Sequence, residues 1–158
     1  MIFITLGSRE YQFNRLLKAV DELIESGTIT EKVFAQIGQS DYVPRNYKYV
    51  DFLSPQDFSE YQDKATIIIT HGGTGAIVSA LKKGKKVIAV PRLAKYKEHT
   101  DNHQQQITRM MKEMLYIESL EDIYELGDKI ITIKNCNLKP YDRESKVLEI
   151  INEFIANY

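Results

Sequence analysis

"ATIIITHGGTGAIVSALKKGKKVIAVP", residues 65–91, decides how the rest of the chain is read. Six residues rich in isoleucine and threonine (65–70) predict a buried strand. An amphipathic run then ends at Gly84, and a second β-branched run (85–91) follows. Strand, turn, helix and strand in this order are the repeating unit of a parallel sheet. Between strand and helix stand Gly72, Gly73 and Gly75. Glycines at such a turn remove the β-carbon where something must approach the backbone. Two readings follow: a phosphate resting on the first N–H groups of the helix, or a tight turn packed against its own sheet. A tight turn accounts for one glycine better than for three.

The same alternation extends outward. Residues 2–6, 32–38 and 47–53 read as strands, and Phe13, Leu16, Leu17, Val20, Leu23 and Ile24 mark a helix that Gly27 closes. Ser54 before Pro55 is an N-cap signal for a short helix to residue 64. Residues 100–114 read as a helix capped by Thr100 or Asp101, 115–117 as a short strand, and 119–130 as a small helix ending near Gly127. Val147, Ile150, Ile151, Phe154 and Ile155 place a last helix. The expectation is one Rossmann-like α/β domain over residues 1–158, with a mainly parallel sheet.

Composition bounds the function. With 158 residues, 43% apolar and 27% charged, one core of ordinary size is expected. A net charge of -1 gives no basic face for nucleic acid. Lys82, Lys83, Lys85 and Lys86 bracket Gly84, where cations complement a helix C-terminus; contact with acidic lipid is the alternative. Cys136 is alone, which excludes an internal disulfide and a cysteine-built zinc site. No apolar run approaches the ~20 residues of a membrane span, so a cytoplasmic location is expected.

Two familiar phosphate patterns fail on the glycine stretch. The P-loop spacing puts Ser79 where its first glycine belongs and Lys86 where a hydroxyl belongs. The dinucleotide pattern fits Gly73 and Gly75 but meets Val78 at its third glycine and Lys95 where an acidic ribose ligand belongs, which disfavours an NAD enzyme.

"HGGTGAIVSALKKGKKVIAVP" followed by "EHTDNHQQQI" resembles the donor-binding, C-terminal half of GT-B glycosyltransferases of the family that contains the lipid II-forming N-acetylglucosaminyltransferase. It is similar in particular to small single-domain relatives. These are the catalytic subunit of the eukaryotic dolichol-linked N-acetylglucosaminyltransferase and the donor-binding subunits of two-component bacterial capsule and exopolysaccharide glycosyltransferases. The opening "MIFITLGSREYQFNRL" also resembles those bacterial subunits, and the likeness spans residues 1 to about 110.

The resemblance implies an inverting hexosyltransferase that uses a UDP-sugar and no metal or other cofactor. Gly7 and Ser8 would hold the donor diphosphate, with Gly72, Gly73, Thr74 and Gly75 bringing the second turn to the same nucleotide. Phe52 and Leu53 match a uracil-recognising loop, and Gln104 and Gln105 match glutamines on the donor sugar, beside Asn102 and His103. Ser79 stands where relatives carry a carboxylate for the ribose hydroxyls, so a weaker, neutral hydrogen bond is expected there. Arg9 replaces a histidine of bacterial relatives. Glu10 is the carboxylate of the opening loop and a candidate general base; a solvated surface carboxylate is the alternative.

His71, His99, His103 and Asp101 raise a metal site, but polar lining of the donor pocket is the preferred reading. Since a GT-B active site lies between two domains, the resemblance implies a membrane-anchored, acceptor-binding partner, a lipid-linked glycan acceptor and a place at the inner face of the membrane. Self-association is the alternative source of the second half. A non-catalytic nucleotide-sugar-binding accessory or sensor subunit is the competing function. Gly73→Val is expected to fold and to lose UDP.

Overall fold

The computed structural model describes residues 1–141 and 147–156. Six strands form one sheet: β1 (Ile2–Thr5), β2 (Val33–Gln36), β3 (Lys48–Val50), β4 (Ile67–His71), β5 (Lys86–Val90) and β6 (Glu118–Ser119). Their order is β3-β2-β1-β4-β5-β6, and every pairing is parallel. The helices are α1 (Asn14–Glu25), α2 (Pro55–Lys64), α3 (Thr74–Lys82), α4 (His103–Glu113), α5 (Leu126–Thr132) and α6 (Val147–Ala156).

Both sheet faces are apolar because the strands are apolar at nearly every position, as sheets covered on both sides require. Ile2, Ile4, Ala35, Ile67, Ile69, Ile88 and Val90 point to one face, under Leu16, Leu17 and Val20 of α1 and Leu126 and Ile130 of α5. The alternate residues Phe3, Phe34, Ile68, Val87 and Ala89 point to the other, against Ile77, Ala80 and Leu81 of α3, Ile107 and Met111 of α4 and Ile151 of α6. Phe34 and Tyr61 stack there at 3.9 Å. In α6 the described buried contact is Ile151; the side chains of Val147, Ile150 and Phe154 lie outside the described residues.

Several boundaries differ from the sequence reading. The last strand is Glu118–Ser119 rather than 115–117, paired with Ile88 and Ala89. Leu115 sits instead at φ 63°, half-exposed, where it ends the α4 turn. Gly127 does not close a helix but lies buried within α5; a β-carbon there would stand 2.9 Å from Leu23 of α1. Its lack of a side chain serves close helix packing, which leaves no local signature. Helix α4 starts at His103, not at 100, because Asp101 accepts the His103 N–H in a local turn. The expected Ser54 cap is present, accepting from Asp57 N–H.

Three lysines of the cluster are tied to backbone carbonyls, one of them also to a carboxylate. Lys83 reaches the Ser59 carbonyl and Asp63, Lys85 the carbonyls of Asp63 and Ala65, and Lys86 those of Ile133, Lys134 and Cys136. These lysines close helix and loop ends, as their position beside Gly84 at φ 66° implies.

Candidate functional site

In a sheet of this order the chain runs in opposite directions from the β1/β4 pair, leaving a crevice beyond their C-terminal ends. A cleft of about 470 Å³ occupies that place. It is lined by Leu6–Arg9 and Tyr11 from the loop after β1, His71–Ala76 from the turn after β4, Arg92 after β5, and His99, Asp101, His103, Gln104 and Ile107 at the start of α4. Residues 65 apart in sequence meet because β1 and β4 pair in register, Thr5 opposite Thr70.

The glycines of the two turns have different reasons. Gly7, at φ 75°, would place a β-carbon 2.8 Å from the His71 ring, and one at Gly73 would overlap His71 Nε2. The imidazole is thus slotted between the two turns. A β-carbon at Gly72 would stand 2.6 Å from Gln104 Cβ. At Gly75 nothing lies within 4 Å, and this glycine opens onto the cleft. The glycines therefore differ: Gly7, Gly72 and Gly73 make room for protein side chains, as the tight-turn reading has it, and Gly75 leaves space free. A valine at Gly73 would have to displace the His71 ring before it met any ligand, so the expected Gly73→Val variant carries a packing cost of its own.

His71 is held neutral. Burial, the nearby Arg92 cation and His99 lower its pKa to about 4, against a smaller opposing effect from a backbone hydrogen bond at Thr5. Its Nδ1 lies 3.4 Å from Thr70 Oγ1, and Thr70 donates to the Thr5 carbonyl. Helix α3 begins at Thr74 with Gly73 as N-cap and no side-chain cap. Its first N–H groups and the positive end of its dipole therefore face the cleft.

Gln104 has a structural task that its sequence does not betray. Its Oε1 accepts the N–H of Gly72 at 3.0 Å and of Arg92 at 3.0 Å, tying the β4 turn to the end of β5. Asn102 likewise uses its Oδ1 on the Ala94 N–H. Gln105 is not among the cleft residues. Ser79 donates to Gln62 Oε1 on α2 and is not among the cleft residues.

Phe52, half-exposed, and Leu53, whose N–H donates to Gln36, follow β3 at the same end of the sheet but outside the cleft lining. Glu10 is exposed on the opening loop, beside the cleft rather than in it. Asp101 and His99 pair at 3.2 Å, and His99 packs on Tyr11 at 5.1 Å. Among the described residues no three His, Cys, Asp or Glu side chains form a metal cluster, and no helix is long and apolar enough to cross a membrane.

Arg92 is the charged cleft residue that motif reading missed. It is 3% exposed, and burial lowers its pKa to about 10, which leaves it cationic at neutral pH. Nothing local in "VPRLAK" separates it from a surface arginine; its burial comes from loops far off in sequence.

The family described as glycosyltransferase family 28 C-terminal domain matches residues 1–157. No sequence match to a curated protein was found. Among solved structures, the solution structure of ALG13 is 23% identical, with a TM-score of 0.61 over 91% of this chain and 90% of that one. MurG of Acinetobacter baumannii is 16% identical, with a TM-score of 0.58 over 84% of this chain and 41% of that one. The glycosyltransferase SnogD of Streptomyces nogalater is 16% identical, with a TM-score of 0.54 over 99% and 43%. These likenesses establish the fold, one half of a GT-B architecture, and the chain spans less than half of the two larger enzymes.

Proposed function

The chain belongs to the glycosyltransferase family 28 C-terminal domain family, and from that premise we propose that it is the donor-binding, catalytic subunit of an inverting, UDP-sugar-dependent hexosyltransferase. The observation that carries this reading is the convergence of the turns after β1 and β4 on one cleft, with the uncapped N-terminus of α3 at its floor. In the transfer, an acceptor hydroxyl oxygen attacks the sugar's anomeric carbon as the bond to the diphosphate breaks. The acceptor's proton passes to a base, and negative charge gathers on departing UDP. Fixed N–H donors and a helix N-terminus stabilise that charge without needing to reorganise. Neutral His71 beside them presents a ring nitrogen without adding a titrating charge at pH 7.

The proposed donor contacts run along Gly7, Ser8 and His71–Gly75, with His103 and the amide nitrogen of Gln104, whose oxygen is taken by Gly72 and Arg92, toward the sugar. Phe52 and Leu53 would meet uracil at the cleft's edge, and Asn102, Gln105 and Ser79 serve the surrounding frame. Glu10 would act as base only for an acceptor arriving from the open side. That side is where the other half of a GT-B cleft would stand, so we assign acceptor binding to a membrane-anchored partner subunit and the acceptor to a lipid-linked glycan, as in capsule or exopolysaccharide synthesis. The chain would then work at the inner face of the membrane.

Calorimetric titration with UDP, UDP-hexoses and NAD, in EDTA and in magnesium, tests the reading. UDP binding that is unchanged by EDTA is expected, with NAD silent. NAD binding, or no UDP binding, would overturn it. Donor binding with no transfer in the presence of the acceptor-binding partner would favour the non-catalytic accessory reading instead.

A further inference from the structure

A buried guanidinium costs several kcal/mol unless its donors are satisfied, and a carboxylate is the ordinary partner. Arg92 does not use one. The carboxylate of Glu98, fully buried beside it, is taken by Arg15 through bonds of 2.9 and 3.0 Å and by the Leu93 N–H at 3.0 Å. The Arg92 donors go to four backbone carbonyls: Leu6 at 2.6 Å, Tyr11 at 2.8 Å, Gln12 at 3.4 Å and Glu98 at 3.3 Å. Three of the four belong to the loop that leaves β1. Leu6 lies at its start, Tyr11 and Gln12 at its end, and Gly7–Glu10 arch between them. The same guanidinium stands 5.2 Å from the Phe13 ring, where the loop enters α1. Arg92 Nε is buried and has no acceptor, in a side chain that lines the cleft.

We propose that Arg92 is a positioning residue: it clamps both ends of the Gly7–Glu10 loop and so sets the loop for a diphosphate in the cleft. The inference rests on the UDP reading above. Only a planar fork with five donors reaches both ends of the loop and the Glu98 carbonyl together; a lysine ammonium is a single point with three donors. The backbone N–H of Arg92 meets Gln104, which holds Gly72, so one residue links all three loops of the site.

Wild type, Arg92→Lys and Arg92→Met decide the matter through titrations with UDP and with uridine and through hydrogen exchange of the Leu6, Phe13 and Asn14 amides, which flank the loop and donate to Gln36, Ser40 and Gln12. In Arg92→Lys, those amides should lose protection while β1 and β4 keep theirs, and UDP should weaken about tenfold, the scale of lost charge-assisted bonds. Uridine, which has no phosphate, should bind as before. General destabilisation would weaken both ligands and open the strands as well. Unchanged loop protection, or equal losses for UDP and uridine, overturns the proposal. If Arg92→Met does not fold, Arg92→Lys decides alone. Should wild type bind no UDP, the functional reading falls, and loop exchange then decides the clamp: retained protection in Arg92→Lys refutes it.

Discussion

Replacing Gly73 and Gly75 by alanine, two positions apart on one turn, should have effects of opposite sign. A β-carbon at Gly73 overlaps the His71 imidazole, which is itself confined on its other side by Gly7. Overpacking at a site that cannot relax costs about 1–3 kcal/mol. For a chain of this size that corresponds to a fall in Tm of roughly 2–12 °C. Gly75 lies in the first turn of α3 with nothing within 4 Å of its added methyl. Alanine there recovers up to about 0.5–1 kcal/mol of helix propensity, or roughly 1–4 °C. Its methyl enters the cleft, so UDP should weaken at least about tenfold, the factor that 1.4 kcal/mol represents. Thermal unfolding by circular dichroism reads the first effect and calorimetry the second. A Gly73→Ala protein as stable as wild type would refute the slotting of His71. Wild-type UDP affinity in Gly75→Ala would refute the approach of a ligand to this turn.

Three further outcomes are expected. His71 should titrate near pH 4 by NMR. Its folded pKa lies below the unfolded value of 6.5, so its contribution to stability is whole above pH 6.5 and is lost as pH falls through 4, by at most about 3 kcal/mol. Urea unfolding between pH 7 and 4 should therefore fall more steeply in wild type than in His71→Gln; parallel curves would contradict this. Gln104→Ala removes the acceptor of two backbone N–H groups and should cost about 2 kcal/mol, whereas Gln105→Ala should be close to neutral for stability and UDP binding. Asp21 is fully buried in α1 and accepts from Tyr42 OH and from the N–H groups of Arg45 and Asn46. Asp21→Ala should cost about 3 kcal/mol or more and free the 42–46 loop, with UDP affinity in the folded fraction unchanged; loss of less than about 1 kcal/mol in a denaturant titration would deny it that role.

What the amino-acid sequence determined by itself is the set of features written in neighbouring residues. The apolar runs at 2–5, 33–36, 67–71 and 86–90 are strands because each is apolar on both faces, and Ser54-Pro55 starts α2 because cap and proline act within one turn. The strand-to-helix turn with three glycines likewise marked Gly72–Gly75 as a candidate site, the family resemblance added Gly7, and the structure brings both to one cleft. Tertiary structure alone decided what each of those glycines is for. A glycine facing a histidine, a glutamine or empty space reads the same along the chain, and the difference lies in β1 and β4 pairing, 65 residues apart. Gly127 was misread for that reason: it meets Leu23, some hundred residues earlier, rather than a helix end. Arg92 was invisible altogether, since three of its four acceptors are backbone carbonyls about 80 residues upstream, and every residue carries such a carbonyl whatever its side chain.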